Sequence, residues 1–315
     1  MKFSFAADPK PLQSAEHLLV LAPKKAFGPR SRLRPTFAKL FDDDRAEILL
    51  QLGKEANVGL LGGTASSRHG KSRLTVGVLP DRVSRHATAT RAESIRKLTA
   101  AAGLGSGRHA VVALLDDDAH LLAVSNAVSR ALPDFTRKSL DPRAGSVTLA
   151  CADRDGRLLK ADAATRDVVL RSREAMRFVD MPPTDLDPAV FAREAKKLLR
   201  KLPGVKVSEI VGPALLQKKL GGVHAVGRCA KSAPRVLIAT ANASSKARSV
   251  ALIGKGITYD TGGLHLKGRG AMETMKADMG GAAAVLGAFL ALHISAECHQ
   301  RVCAVFLPWC PAAGY

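Results

Sequence analysis

Along the chain, short apolar runs closed by Pro or Gly alternate with stretches whose apolar positions recur at helical spacing. His17 to Ala22 (HLLVLA) ends at Pro23, Leu74 to Leu79 (LTVGVL) ends at Pro80, and His109 to Leu115 is a third run of this kind; all three read as buried strands. Between them, Asp42 to Leu52 places its acids first and its leucines later. This predicts a helix with negative charge at its positive end, stopped by Gly53. Ala92 to Ala102, ended by Gly103, and Ala119 to Leu132 are further helices. Ser146 to Ala150 and Arg157 to Lys160 form a hairpin through Asp155-Gly156.

A long helix over Ala161 to Val179 runs into Asp180-Met181-Pro182-Pro183, a helix stop, with Thr184 or Asp185 capping the next turn. Asp187-Pro188 opens the helix Ala189 to Leu202. Val205 to Val207, Arg235 to Ala239, Ser249 to Ile253 and Val302 to Phe306 read as strands, Pro213 to Leu220 as a short helix, and Ala241 to Lys246 as a polar turn. Another helix begins near Met279 and continues to about Leu292. Strands and helices alternating at this length predict an α/β protein with a parallel or mixed sheet and helices on its faces. The chain divides into residues 1–160 and 161–315.

Composition narrows the picture. The 315 residues leave room for two ordinary domains, and with aromatics at only 4 % the cores must be filled by aliphatic side chains and alanine. No window approaches the roughly 18 apolar residues of a membrane span. The start, Met1 to Lys10, has no signal-peptide core, so the expected location is cytoplasmic and no membrane partner is expected. Cys151, Cys229, Cys298, Cys303 and Cys310 are odd in number and contain no C-x-x-C pair; buried reduced thiols are expected. The net charge of +20 is spread along the chain without a run of five Lys/Arg, which suits a diffuse basic face attracting polyanions, nucleic acid included, better than a dedicated arm.

Several groups invite chemistry and are set aside. Asp116-Asp117-Asp118 lies where a strand gives way to a helix and reads as a solvated loop and N-cap. Gly62-Gly63 and Gly103-x-Gly105-x-Gly107 lack the strand and helix that a nucleotide loop needs. His293, Cys298, His299 and Cys303 have partial zinc spacing but no second matched pair. Trp309 is assigned no role.

One stretch resists this treatment. Gly254 to Ala284, GKGITYDTGGLHLKGRGAMETMKADMGGAAA, holds Lys255, Asp260, Lys267 and Asp278 between a hydrophobic strand and a helix of small residues. Two aspartates near a strand end and a helix start suit a divalent cation, and a lysine beside them can ligate when deprotonated or steady an oxyanion. The bland alternative is two solvated lysines and Asp278 as a helix N-cap.

The stretch resembles the metal-binding segment of the leucyl (cytosol) aminopeptidase family, in register over G-K-G-x-x-Y-D-T-G-G-L-x-L-K and M-x-x-M-K-x-D-M-G-G-A-A-A-V. Weaker similarity reaches back through Gly221 to Gly227, Val179 to Thr184, and Leu79 to His86, the last resembling the probable-aminopeptidase-like branch. The resemblance implies a macro-domain-like N-terminal module followed by a metallo-aminopeptidase catalytic domain. It implies Lys255, Asp260 and Asp278 as ligands of two zinc or manganese ions, Lys267 as the catalytic lysine at the substrate carbonyl, and Met275 in the pocket for the N-terminal residue. It further implies peptides with a free amino terminus as substrates, and hexamers. His265 lies inside the motif at a position the family does not use as a ligand. After Phe306 the chain leaves the family pattern, and the downstream N-T-D-A-E-G-R segment, with its further Asp, Glu and Arg, is absent. On that basis the chain is expected to carry about half of the catalytic domain, to bind metal weakly and to have little peptidase activity alone. The competing class is a non-catalytic interaction protein using the basic surface.

Overall fold

The computed structural model describes residues 1–315 apart from 7, 29–30, 32–33, 84–89, 138–144, 242–248, 295–300 and 310–315, and describes 34, 293–294 and 301–309 by backbone alone. It divides into two compact units, Met1–Pro133 with Arg137–Val169, and Asp134–Thr136 with Leu170–Tyr315.

The first unit runs β1 (Lys2–Phe5), α1 (Lys10–Gln13), β2 (His17–Pro23), α2 (Arg34–Leu40), α3 (Asp43–Glu55), β3 (Gly63–His69), β4 (Ser72–Leu79), α4 (Ala92–Ala101), β5 (Arg108–Leu114), α5 (Leu121–Arg130), β6 (Ser146–Ala152) and β7 (Leu158–Leu159). Among the described residues its strands form one sheet in the order β1-β6-β5-β2-β4-β3, with β7 paired to β6. The pairs β1/β6, β6/β5, β5/β2 and β2/β4 are parallel, while β3 and β7 are antiparallel to their neighbours. Alternation within β2 explains the two cores. Leu18, Val20 and Ala22 join one cluster with Phe27, Phe37 and Leu49, and Leu19 and Leu21 join the other with Ile95, Leu98 and Val128. A strand buried on both faces reads as an unbroken apolar run, which is why β2 was legible.

Local signals failed at three places here. Gly53 does not end α3, because the helix continues to Glu55 and the ring of Phe27 packs where a Cβ at Gly53 would lie, 2.0 Å from the nearest ring carbon. Asp116 is not a solvated member of its triplet. It pairs with Lys25 and Arg91, each at 3.1 Å, and although burial pushes its carboxyl up, the two cations more than offset that and hold it below the usual range. Asp117 does cap, accepting from the Ala119 N–H at 2.9 Å. Gly63, read as part of an isolated glycine loop, opens β3 instead.

His17 is buried at the start of β2, its Nε2 is 2.8 Å from Thr75 Oγ1, and its ring meets His109 edge-on at 6.0 Å. Burial first, then Arg73 and His109, lowers its pKa from 6.5 to about 4. The unfolded chain therefore binds the extra proton between those values, so the stability contributed by neutral His17 is present above pH 6.5 and is lost as pH falls towards 4. Wild type should lose about 2 kcal/mol more than His17→Gln between pH 7 and pH 5, read from urea unfolding. Equal losses in the two proteins would remove this account of His17. Cys151 is buried, with its thiol pushed up to about 12 by burial, whereas Cys229 is exposed, against the expectation for it.

The second unit contains most of α6 (Ala163–Asp180), then α7 (Pro188–Leu199), β8 (Val205–Val211), α8 (Ala214–Gln217), α9 (Gly221–Gly227), β9 (Arg235–Ala241), β10 (Ser249–Ile257), α10 (Gly280–Ile294) and β11 (Arg301–Trp309). Asp187 caps α7, accepting from the Val190 N–H at 2.7 Å, with Pro188 in the first turn, as the Asp187-Pro188 pair predicted. The sheet order is β10-β11-β9-β8, with β11 parallel to β10 and antiparallel to β9. Phe178, Phe191 and Phe289 are fully buried with Leu237, Ala239 and Leu286, so α6, α7 and α10 share a core with the sheet. Each such phenylalanine contributes roughly 1.5–3 kcal/mol by burial.

The expectation that no window approaches a membrane span needs correction. Met275–Leu292 has a mean hydropathy of 1.4 over 18 residues, long and apolar enough to cross a bilayer by length and composition. Glycine and alanine make its apolar character easy to overlook. Met279, Ala282, Ala283, Leu286, Phe289 and Leu290 are nonetheless core residues of this unit.

Candidate metal centre

The site is built from a strand, a loop and a helix start. β10 extends past the predicted Ser249 to Ile253 through Gly254-Lys255-Gly256 to Ile257, so Lys255 stands on a strand. Alternation sends Gly254 and Gly256 inward and Lys255 outward. The glycines are required by α10. A Cβ on Gly254 would lie 2.5 Å from Ala282 Cα and 2.6 Å from Gly281 O, and one on Gly281 would lie 3.0 Å from Lys255 N. Bare backbone on both sides brings the helix start against the strand. The preceding 3-10 turn, Met275–Met279, then sets Asp278 beside Lys255, with Nζ 3.3 Å from Oδ1. Asp278 is thus an ion-pair partner inside the turn and not the N-cap of α10.

Beyond β10 the chain passes Asp260 and folds back. Gly262 has φ +89°, its N–H donates to Asp260 Oδ1 at 2.9 Å, and a side chain there would meet His265 O at 2.2 Å. The Lys267 N–H donates to Thr261 O at 2.9 Å, which returns the loop so that Lys267 Nζ is 3.2 Å from Asp260 Oδ2. Burial raises the Asp260 carboxyl, but the Gly262 N–H, Lys267 and Lys255 together overcome this and hold it below the usual carboxylate range. Lys255 therefore acts on both aspartates and joins the two pairs into one cluster.

Met275 opens the 3-10 turn and is half-buried; Met279 at its other end is fully buried. Lys276, which drew no attention in the sequence, donates from Nζ to Asp180 O at 2.7 Å and ties the turn to the end of α6. His265 and Leu264 are exposed on the loop. Among the described residues no three His, Cys, Asp or Glu gather in a metal-binding group, so the cluster is lysine-rich with two carboxylates. The zinc spacing at His293, Cys298, His299 and Cys303, the side chain of Trp309, and Ser84 to His86 fall outside the described residues, as does most of the polar turn after Ala241.

Residues 173–310 match the model for the cytosol aminopeptidase family, catalytic domain, and residues 30–141 match that for M17 aminopeptidase N-terminal domain 2. The chain belongs to the cytosol aminopeptidase (M17) family. It is 33 % identical over 226 residues to the mouse "Probable aminopeptidase NPEPL1", an alignment covering 69 % of this chain and 42 % of that protein. The chain thus spans about two fifths of the length of the curated relatives it matches first. The structure is similar to that of a leucyl aminopeptidase from Leishmania major in complex with actinonin, with a TM-score of 0.82 at 27 % identity, covering 99 % of this chain and 62 % of that one. The bottromycin maturation enzyme BotP in complex with Mn is also similar, with a TM-score of 0.64 at 25 % identity, covering 95 % of this chain and 60 % of that one. This M17 chain is an α/β protein, as its alternating elements predicted.

Proposed function

We propose that this M17 chain supplies the lysine-aspartate part of a two-metal centre that releases the N-terminal residue of a peptide. The observation carrying this reading is the cluster itself, in which Lys255 and Lys267 meet Asp278 and Asp260 at 3.3 and 3.2 Å. The residues fit a divalent cation in part. Both carboxylates already face positive charge, Asp260 is held ionised, and Lys255 can donate its lone pair once deprotonated. Asp260, Asp278 and Lys255 would hold the ions. Two zinc or manganese ions held there would supply an acidified water and would polarise the scissile carbonyl. Lys267 would donate to the carbonyl oxygen as negative charge develops there, and Met275 would line the pocket for the N-terminal side chain. Substrates on this reading are peptides with a free amino terminus. A cytoplasmic location and a homo-oligomer go with it.

A second reading rests on the same cluster. With two carboxylates, the described donor set is smaller than a closed two-metal site uses, which favours a non-catalytic chain that meets partners, nucleic acid included, through its basic surface. Hydrolysis of an aminoacyl-anilide with added manganese or zinc separates the two. Turnover that a chelator abolishes and fresh metal restores supports the peptidase. Absence of turnover together with salt-dependent retention on nucleic acid supports the second reading.

A further inference from the structure

The open edge of β3 carries chemistry that the metal cluster does not use. Among the described residues β3 has one partner strand, β4, so one side of its backbone is unpaired. β1, at the opposite end of the sheet, is only four residues long, against seven in β3. Beside β3 runs a groove of about 610 Å³, walled by Asp44, Glu47 and Glu55 of α3 on one side and Ser67 and His69 on the other. Ile48 and Leu52 also line it.

Among the described residues the three acids form no ion pair, unlike Asp42 just before α3, which pairs with Arg45, and Glu55 accepts from Gln51 Nε2 at 2.7 Å. On a chain of net charge +20 this is a local reversal of sign. The register fixes which groups face outward. Gly70 and Lys71 form a two-residue turn with φ +57° at Gly70, and His69 pairs with Ser72. The closing pair of such a hairpin exchanges both ladder bonds, and so do Ser67/Leu74 and Ala65/Val76. Thr64, Ser66 and Arg68 therefore turn their N–H and C=O groups to the open side.

We propose that this edge binds an extended basic segment of another protein, added to the sheet as a further strand with Lys or Arg at every second position. Strand alternation would place those side chains over the groove, their methylene stems on Ile48 and Leu52 and their charges at Asp44, Glu47 and Glu55. The intervening residues would face the side of the sheet that carries Thr64, Ser66 and Arg68, so polar or acidic residues belong there. Roughly five residues of extended chain span the groove. The surface lies within the first unit and is independent of the aminopeptidase reading.

The test is fluorescence anisotropy with the full chain and a short labelled peptide alternating Lys and Thr. Binding should saturate, weaken about tenfold or more in the double variant Glu47→Lys/Glu55→Lys, and weaken several-fold between about 50 and about 200 mM salt. The same peptide N-methylated at alternate residues should lose binding in one of its two registers, and the amides of Thr64, Ser66 and Arg68 should gain hydrogen-exchange protection. The methylated peptides leave the protein unaltered, so the main-chain part of the test does not depend on a variant folding. Equal binding of both methylated peptides, binding indifferent to the charge reversal, no saturable binding, or pairing of two copies of the chain through β3 would each overturn the proposal.

Discussion

On the proposed peptidase reading, Lys267→Ala is expected to lower whatever kcat/KM the metal-loaded chain has for an aminoacyl-anilide by roughly 100- to 1,000-fold, the scale lost when one donor to a developing oxyanion is removed. Metal content should be nearly unchanged, because Lys267 is a counter-charge to Asp260 and not one of the residues assigned to hold the ions. Asp260 keeps the Gly262 N–H at 2.9 Å and the field of Lys255. Lys267→Arg should not restore turnover, since a planar fork cannot take the place of a compact ammonium 3.2 Å from Asp260 Oδ2. The reading of Lys267 fails if turnover survives the alanine variant, or if metal is lost along with activity.

The second large effect is structural. Gly254→Val should destabilise the second unit by about 3 kcal/mol or more, or prevent its accumulation. The obstruction is backbone on every side, with Ala282 Cα at 2.5 Å, Gly281 O at 2.6 Å and Ala282 N at 2.8 Å, so no side chain can swing away. Relief requires α10 to leave β10, and Asp278 leaves Lys255 with it. Gly254→Ala should show a smaller loss of the same kind. Gly222→Ala, where a Cβ meets nothing within 4 Å, should leave the urea midpoint within a few tenths of a molar. If Gly254→Val unfolds at the wild-type midpoint, close strand-helix approach is not what positions the cluster.

The strands buried on both faces, β2, β4 and β5, announced themselves as apolar runs, and acidic starts or proline marked α3 and α7. Local signals misled where a distant residue decided the outcome. Gly53 is needed because the Phe27 ring lies where its Cβ would be, not as a helix stop, and Asp116 is paired with Lys25 and Arg91 from elsewhere in the chain. β3, with serines, Arg68 and His69 on an exposed edge, has no apolar run to find. The four site residues were legible as residue types at a spacing, and the family resemblance assigned their roles. Their pairing was not legible. Which lysine meets which aspartate depends on the fold of Gly262 and on the contact of Gly254 with Gly281, neither of which is a property of spacing.

The most direct measurement of the central claim is a manganese titration of the chain followed by electron paramagnetic resonance, repeated with Asp260→Asn/Asp278→Asn. The wild-type chain should quench the free-ion signal saturably and with modest affinity. The double variant, still folded by circular dichroism, should bind at least about tenfold more weakly, because a neutral amide replaces each carboxylate that faces a lysine. Undiminished binding by the double variant, or a free-ion signal unchanged by excess wild-type chain, would contradict the assignment of this cluster as a metal centre.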